Sequence, residues 1–141
     1  MTTLVLVACV AGKLSHPAPA AQLYTSPWFK KASALAARTG CPWAILSAEH
    51  GLVDPARVIA PYERTLAHST PTARRAWAID VFRELLARYP DVHRVVFLAG
   101  QLYRRELGAR LEMSGITVEV PMQALGIGEQ LHFLDHAEVA A

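Results

Sequence analysis

Apolar residues in this chain gather in four short continuous runs, and the stretches between them repeat at threes and fours. The first run, Leu4-Val5-Leu6-Val7-Ala8-Cys9-Val10, is rich in β-branched residues and too short for a buried helix. A run of that kind predicts a central parallel strand covered on both faces. Trp43-Ala44-Ile45-Leu46, residues 94–100 and residues 116–120 predict three more. Between them, Ser26-Pro27 and Thr70-Pro71 pair an N-cap residue with proline at the first helical position. Helices are therefore expected over residues 27–38 and 71–89. In the first, Trp28, Ala32, Leu35 and Ala36 share a face. In the second, Ala73, Trp77, Val81, Leu85 and Leu86 do. A third helix should follow Gly100 and run to Met113, and a short one should follow the Gly126-Ile127-Gly128 turn. Residues 15–21, with two prolines, read as a loop.

Alternating strands and helices predict an α/β/α sandwich of three layers, with about four mainly parallel strands, in one domain spanning residues 1–141. The length of 141 residues suits a single core. A composition of 52% hydrophobic and 18% charged residues argues for a globular chain. The net charge of +2 permits nucleic acid as a partner without requiring it. Cys9 and Cys41 stand without a CxxC or Cys/His ligand spacing and read as reduced, buried thiols. Residues 4–10 are too few to cross a bilayer and lack a signal-peptide layout, so a cytoplasmic protein without a membrane partner is expected.

Chemistry concentrates where strands should end. In open α/β sheets, ligands bind at the carboxyl ends of the strands. The second strand releases Ser47-Ala48-Glu49-His50-Gly51, and Gly51 permits the turn that would bring a carboxylate and an imidazole to one place. The first strand leads to Gly12-Lys13, and the third to Gly100-Gln101-Leu102-Tyr103. Neither glycine stretch is a nucleotide fingerprint: no GxxxxGKS or GxxxxGKT occurs, and Gly126-Ile127-Gly128 lacks the third glycine. Ser47 has no GxSxG context, so it serves as a turn residue before it serves as a nucleophile. His16, His68, His93, His132 and His136 read as scattered, and neither a metal nor a cofactor is expected.

Three blocks resemble the YaaA superfamily, typified by a bacterial peroxide-stress protein. They are Cys9-Val10-Ala11-Gly12-Lys13-Leu14 with Leu23-Tyr24-Thr25, then Leu46 to Leu52 with Pro55 and Pro61-Tyr62, then Val95 to Tyr103. The middle block is the specific one, and this chain is much shorter than the stress protein. It carries Glu49-His50 where that protein has an apolar residue followed by tyrosine. The resemblance implies DNA binding and protection against oxidative DNA damage. The layout is also similar to the uracil-DNA glycosylase type of sandwich.

The expected function is action on a nucleobase, nucleoside or nucleic acid, by an N-glycosidase type of hydrolysis. Glu49 would orient water or stabilise charge building on the sugar, and His50 would place a proton. Gln101 or Gln123 would read the base edge, Tyr24, Tyr62 or Tyr103 would stack on it, and Lys13 would meet an anion. Two alternatives stay open. One is a noncatalytic DNA-binding protein using Lys30, Lys31, Arg74, Arg75, Arg104 and Arg105; the other is a small-molecule biosynthetic enzyme.

Overall fold

The computed structural model describes residues 1–8 and 12–139. Cys9, Val10 and Ala11 lie outside them, and with them the end expected for the first strand. The elements run β1 (Thr2–Ala8), β2 (Ala18–Pro19), α1 (Ala20–Leu23), α2 (Pro27–Arg38), β3 (Trp43–Ser47), β4 (Gly51–Val53), β5 (Val58–Ile59), α3 (Pro71–Arg88), β6 (Val92–Leu98), α4 (Gln101–Met113), β7 (Thr117–Glu119) and α5 (Ile127–His136). Five strands form one sheet in the order β4-β3-β1-β6-β7, in which only β4 runs antiparallel to its neighbour.

The expected sandwich is present, with alternate residues of the central strands supplying its two cores. Leu4, Leu6, Ala44, Leu46, Val95 and Phe97 face α3 and α4. Val5, Val7, Ile45, Val96 and Leu98 face α2, α5 and the segment around Tyr24. Right-handed crossovers fix which helix lies where. The connection β1-α2-β3 moves one way along the sheet and β6-α4-β7 moves the other, so α2 and α4 cover opposite faces. The direction of travel therefore reverses between β1 and β6. Both expected N-caps form: Ser26 accepts from the Phe29 N–H at 3.1 Å and Thr70 from the Ala73 N–H at 3.1 Å.

Three local features differ from the sequence reading. The Ala-rich end of the proline loop makes a short strand and one helical turn, β2 and α1. The buried face of α2 is set by Phe29, with Ala32, Leu35 and Ala36, which turns Trp28 toward the carboxyl edge of the sheet. A fifth strand, β4, follows the Glu49-His50 turn. Ser47 makes that turn: its Oγ accepts the N–H groups of Glu49 (3.2 Å) and His50 (3.0 Å). Gly51 then takes a φ of 71°, and Leu52 and Val53 return alongside Leu46 and Ile45. At the other edge, Arg94 donates to both carboxylate oxygens of Glu119, at 2.7 and 2.6 Å, tying β7 to β6. That pairing holds the Glu119 carboxyl below its usual range. Among the described residues, no helix is long and apolar enough to cross a membrane.

Gly51 gives a direct test of the hairpin. A Cβ there would adopt the left-handed backbone and meet Glu84 Oε1 at 3.3 Å. Gly51→Ala should therefore lower unfolding stability by about 1–2 kcal/mol, read from urea denaturation. An unchanged midpoint would mean that the turn does not need its positive φ.

Candidate functional site

The reversal between β1 and β6 opens a cavity of about 520 Å³ at the carboxyl edge. Its walls are mostly apolar, with Trp28, Phe97, Met122 and Leu125 among them, and the polar groups are few: Ser26, Gln101, Arg104, Gln123, Gln130 and the Tyr103 phenol. Such a mixture of apolar surface and sparse polar groups is characteristic of small-molecule sites. One wall is fixed by a relay of hydrogen bonds. Trp28 Nε1 donates to Gln130 Oε1 at 2.9 Å, and Gln130 Nε2 donates to the Leu125 carbonyl at 2.9 Å. The opposite wall is the start of α4, where the exposed Gln101 side chain is available to a ligand.

Beside this cavity lies a cluster of aromatic and basic groups. Backbone bonds from Leu14 N to Leu23 O (2.8 Å) and from Thr25 N to Gly12 O (3.1 Å) lay residues 12–14 against residues 23–25. Lys13 is thereby brought over two rings, with Nζ 4.5 Å from the Tyr62 centroid and 5.7 Å from that of Tyr24. The two phenol oxygens are 2.5 Å apart. Tyr62 in turn stands edge-on to His50, centroids 5.5 Å apart. Tyr24 is buried, and that burial, followed by its hydrogen bond to Tyr62, pushes its phenol far above the ordinary tyrosine range; a hydrogen bond with Ser47 works the other way.

Glu49 turns elsewhere. Its carboxylate lies 3.5 Å from Arg64 Nε, at the rim of a second hollow of about 650 Å³ between the hairpin turn and α3. Trp77, Asp80 and Glu84 line that hollow, and His50 borders it as well. Trp77 joins the two sides of the edge: its Nε1 donates to the Ser47 carbonyl at 2.9 Å, and its ring stands edge-on to Tyr103 at 5.7 Å.

The residues expected to line one cleft are thus distributed. Lys13, Tyr24, Ser47, His50 and Tyr62 are linked through rings and hydroxyls. Gln101 and Tyr103 line the switch-point cavity, and Glu49 faces Arg64. Ser47 is fully buried, with its Oγ engaged by the turn, which leaves no geometry for attack on a substrate. Cavity residues that the sequence reading passes over are Gln130 and Met122; it names Arg104 only among the cations of the DNA-binding alternative and places Trp28 on the core face of its helix. Position in the first turn of a helix after a parallel strand is the signal that could have singled out Trp28 and Arg104. The histidines are also less scattered than expected. His132 and His136 are four apart on α5, a spacing visible in the sequence, and their rings stack at 4.2 Å. Among the described residues, no three or more His, Cys, Asp or Glu side chains group closely enough to hold a metal ion.

A family model matches residues 4–136, nearly the whole chain. The chain belongs to DUF6884, a family of unknown function. No curated protein and no solved structure matches it. The family's matched span takes in the cavity, the phenol cluster and the hairpin turn together.

The Tyr24 phenol carries a pH dependence. A folded-state value above the unfolded one, about 10, makes its contribution complete below pH 10 and progressively lost above it. Between pH 9 and 11 the loss should approach about 1.4 kcal/mol. Comparing urea midpoints at the two pH values, Tyr24→Phe should fall less than wild type by that amount. Equal slopes would place the phenol in water.

Proposed function

We propose that this protein acts on a nucleobase-containing ligand and hydrolyses its N-glycosidic bond, with the base held in the switch-point cavity. One observation carries the reading: a mostly apolar cavity at the sheet reversal presents the amides of Gln101 and Gln123 to whatever enters. An amide donates and accepts side by side, which matches the edge of a base, and Trp28 and Tyr103 supply flat apolar surface. The YaaA-like blocks place Ser47, Gln101 and Tyr103 at strand ends, while Glu49-His50 is this chain's own departure from that pattern.

The distance along the sheet edge is compatible with one ligand reaching both regions. β3 and β6 flank β1, so their ends are roughly 10 Å apart, comparable with the length of a nucleoside. In this arrangement His50 protonates the base as the C–N bond breaks and its electron pair leaves with the base. Glu49 stabilises the positive charge on the sugar and takes a proton from the water that adds to it. Its contact with Arg64 is exposed and long, a kind of pair worth little, so a substrate can displace it.

A small ligand fits better than a duplex. Lys30 and Lys31 lie on α2, whereas Arg74, Arg75, Arg104 and Arg105 lie on α3 and α4, across the sheet. Lys31 is paired with Asp135 at 2.6 Å, and Arg74 donates to the Leu66 and Ser69 carbonyls. Among the described residues, no single basic stripe tracks a backbone, which is what strand binding requires.

The test is release of free base from a panel of nucleosides, nucleotides and short oligonucleotides, followed by chromatography. Wild type should release base from at least one of them. Glu49→Gln should leave binding nearly intact and slow release by about 100-fold or more. Absence of release from the whole panel would remove the hydrolase reading, and full activity of Glu49→Gln would remove Glu49 from the chemistry.

A further inference from the structure

Resting on that reading, the geometry points to a phosphorylated form of the ligand, a nucleotide whose phosphate is gripped by Arg104 on the cavity wall. Among the described residues lining the cavity, Arg104 is the only charged one, and no carboxylate accompanies it there. Its Nε is buried and has no hydrogen-bond partner among the described residues. A buried guanidinium nitrogen left unpaired is costly, because the fold supplies nothing to replace the water it has lost. The five-donor fork of arginine matches phosphate oxygens in pairs, so an anion entering this cavity meets a cation that no described residue on its walls neutralises.

The surrounding backbone favours the same charge. Arg104 lies in the opening turn of α4, and helical side chains lean toward the N-terminus of their helix. The guanidinium therefore leans toward the end of α4 where the backbone N–H groups point outward. The N-cap is Gly100, which offers no side-chain acceptor, and the first turn has no acidic residue. The N–H groups of Tyr103 and Arg104 return to the Gly100 carbonyl, leaving those of Gln101 and Leu102 without an intrahelical partner. A cation beside the positive end of a helix is destabilising on its own and favourable once an anion lies between them. The phosphate would then sit against Arg104 at the start of α4. This is a different recognition element from Lys13, whose ammonium sits over Tyr62 and Tyr24.

Calorimetric binding of a matched set separates the claims: a nucleoside, its 5′-monophosphate, the same sugar phosphate without the base, and inorganic phosphate. The set is measured for each of the four common bases, with wild type, Arg104→Gln and Arg104→Lys. Wild type should bind a monophosphate about 10-fold or more tightly than its nucleoside. Arg104→Gln should erase that preference while leaving nucleoside affinity unchanged, and Arg104→Lys should recover part of it. The sugar phosphate and inorganic phosphate should compete weakly with the nucleotide in wild type and not in Arg104→Gln. Circular dichroism melting of each variant shows that it is folded.

Equal affinity for nucleoside and monophosphate in wild type would overturn the phosphate site while leaving the base site standing. A phosphate preference that survives Arg104→Gln would overturn the role of Arg104. Phosphate compounds that bind whether or not they carry a base would support the anion grip and reject the base reading. Failure of every compound to bind would overturn both.

Discussion

Two right-handed crossovers that leave neighbouring strands in opposite directions cannot both pack over the gap between those strands. That constraint places the cavity. β1 sends its chain to α2 on one face and β6 sends its chain to α4 on the other, so the carboxyl ends of β1 and β6 are left with a crevice that neither helix fills. The buried alternation of Leu4, Val5, Leu6 and Val7 keeps β1 central, and every approach to the crevice is measured from it. The segment after β7 closes part of the opening with Met122 and Leu125, which is why the cavity has walls rather than a flat rim.

The groups at the neighbouring exit are organised by packing more than by charge. Tyr24 is held against Phe29, 4.7 Å between centroids, and carries its hydroxyl to Tyr62. His50 meets the far side of Tyr62, and Lys13 lies above it. A phenol that resists ionisation is suited to donating and accepting hydrogen bonds without adding net charge. Glu49, one residue before His50, points to Arg64 because successive residues in a tight turn diverge. The two neighbours thus border one hollow beside α3, and His50 alone also meets Tyr62.

The fold was readable from the chain to a large extent, for a physical reason. Buried parallel strands must be continuously apolar, so residues 4–8, 43–46 and 95–98 announce themselves, and the Ser-Pro and Thr-Pro steps mark where α2 and α3 begin. β4 was missed because Gly51-Leu52-Val53 is too short for alternation to register; only the turn chemistry of Ser47 and Gly51 makes it a strand. The site was readable by address but not by assembly. Of the residues singled out at strand ends, Gln101 and Tyr103 line the cavity, Lys13 lies over Tyr62, and Ser47 is buried in the hairpin turn. Which of them share a cavity depends on helix phase: at the start of α2 it is Phe29 that is fully buried, while Trp28 packs at the margin and lines the cavity. Arg104 is legible in the sequence only as one cation of the DNA-binding alternative, because its place on the cavity wall is a property of three dimensions.

The borders of the sheet have a consequence for how copies of this protein meet. β4 and β7 are three residues long, and the second is fastened to its neighbour by a two-pronged ionic clasp between Arg94 and Glu119. So short a fringe offers an incoming strand only one or two rungs to extend. Growth of the sheet from molecule to molecule is discouraged at both margins, and encounters between copies are left to the helical flanks.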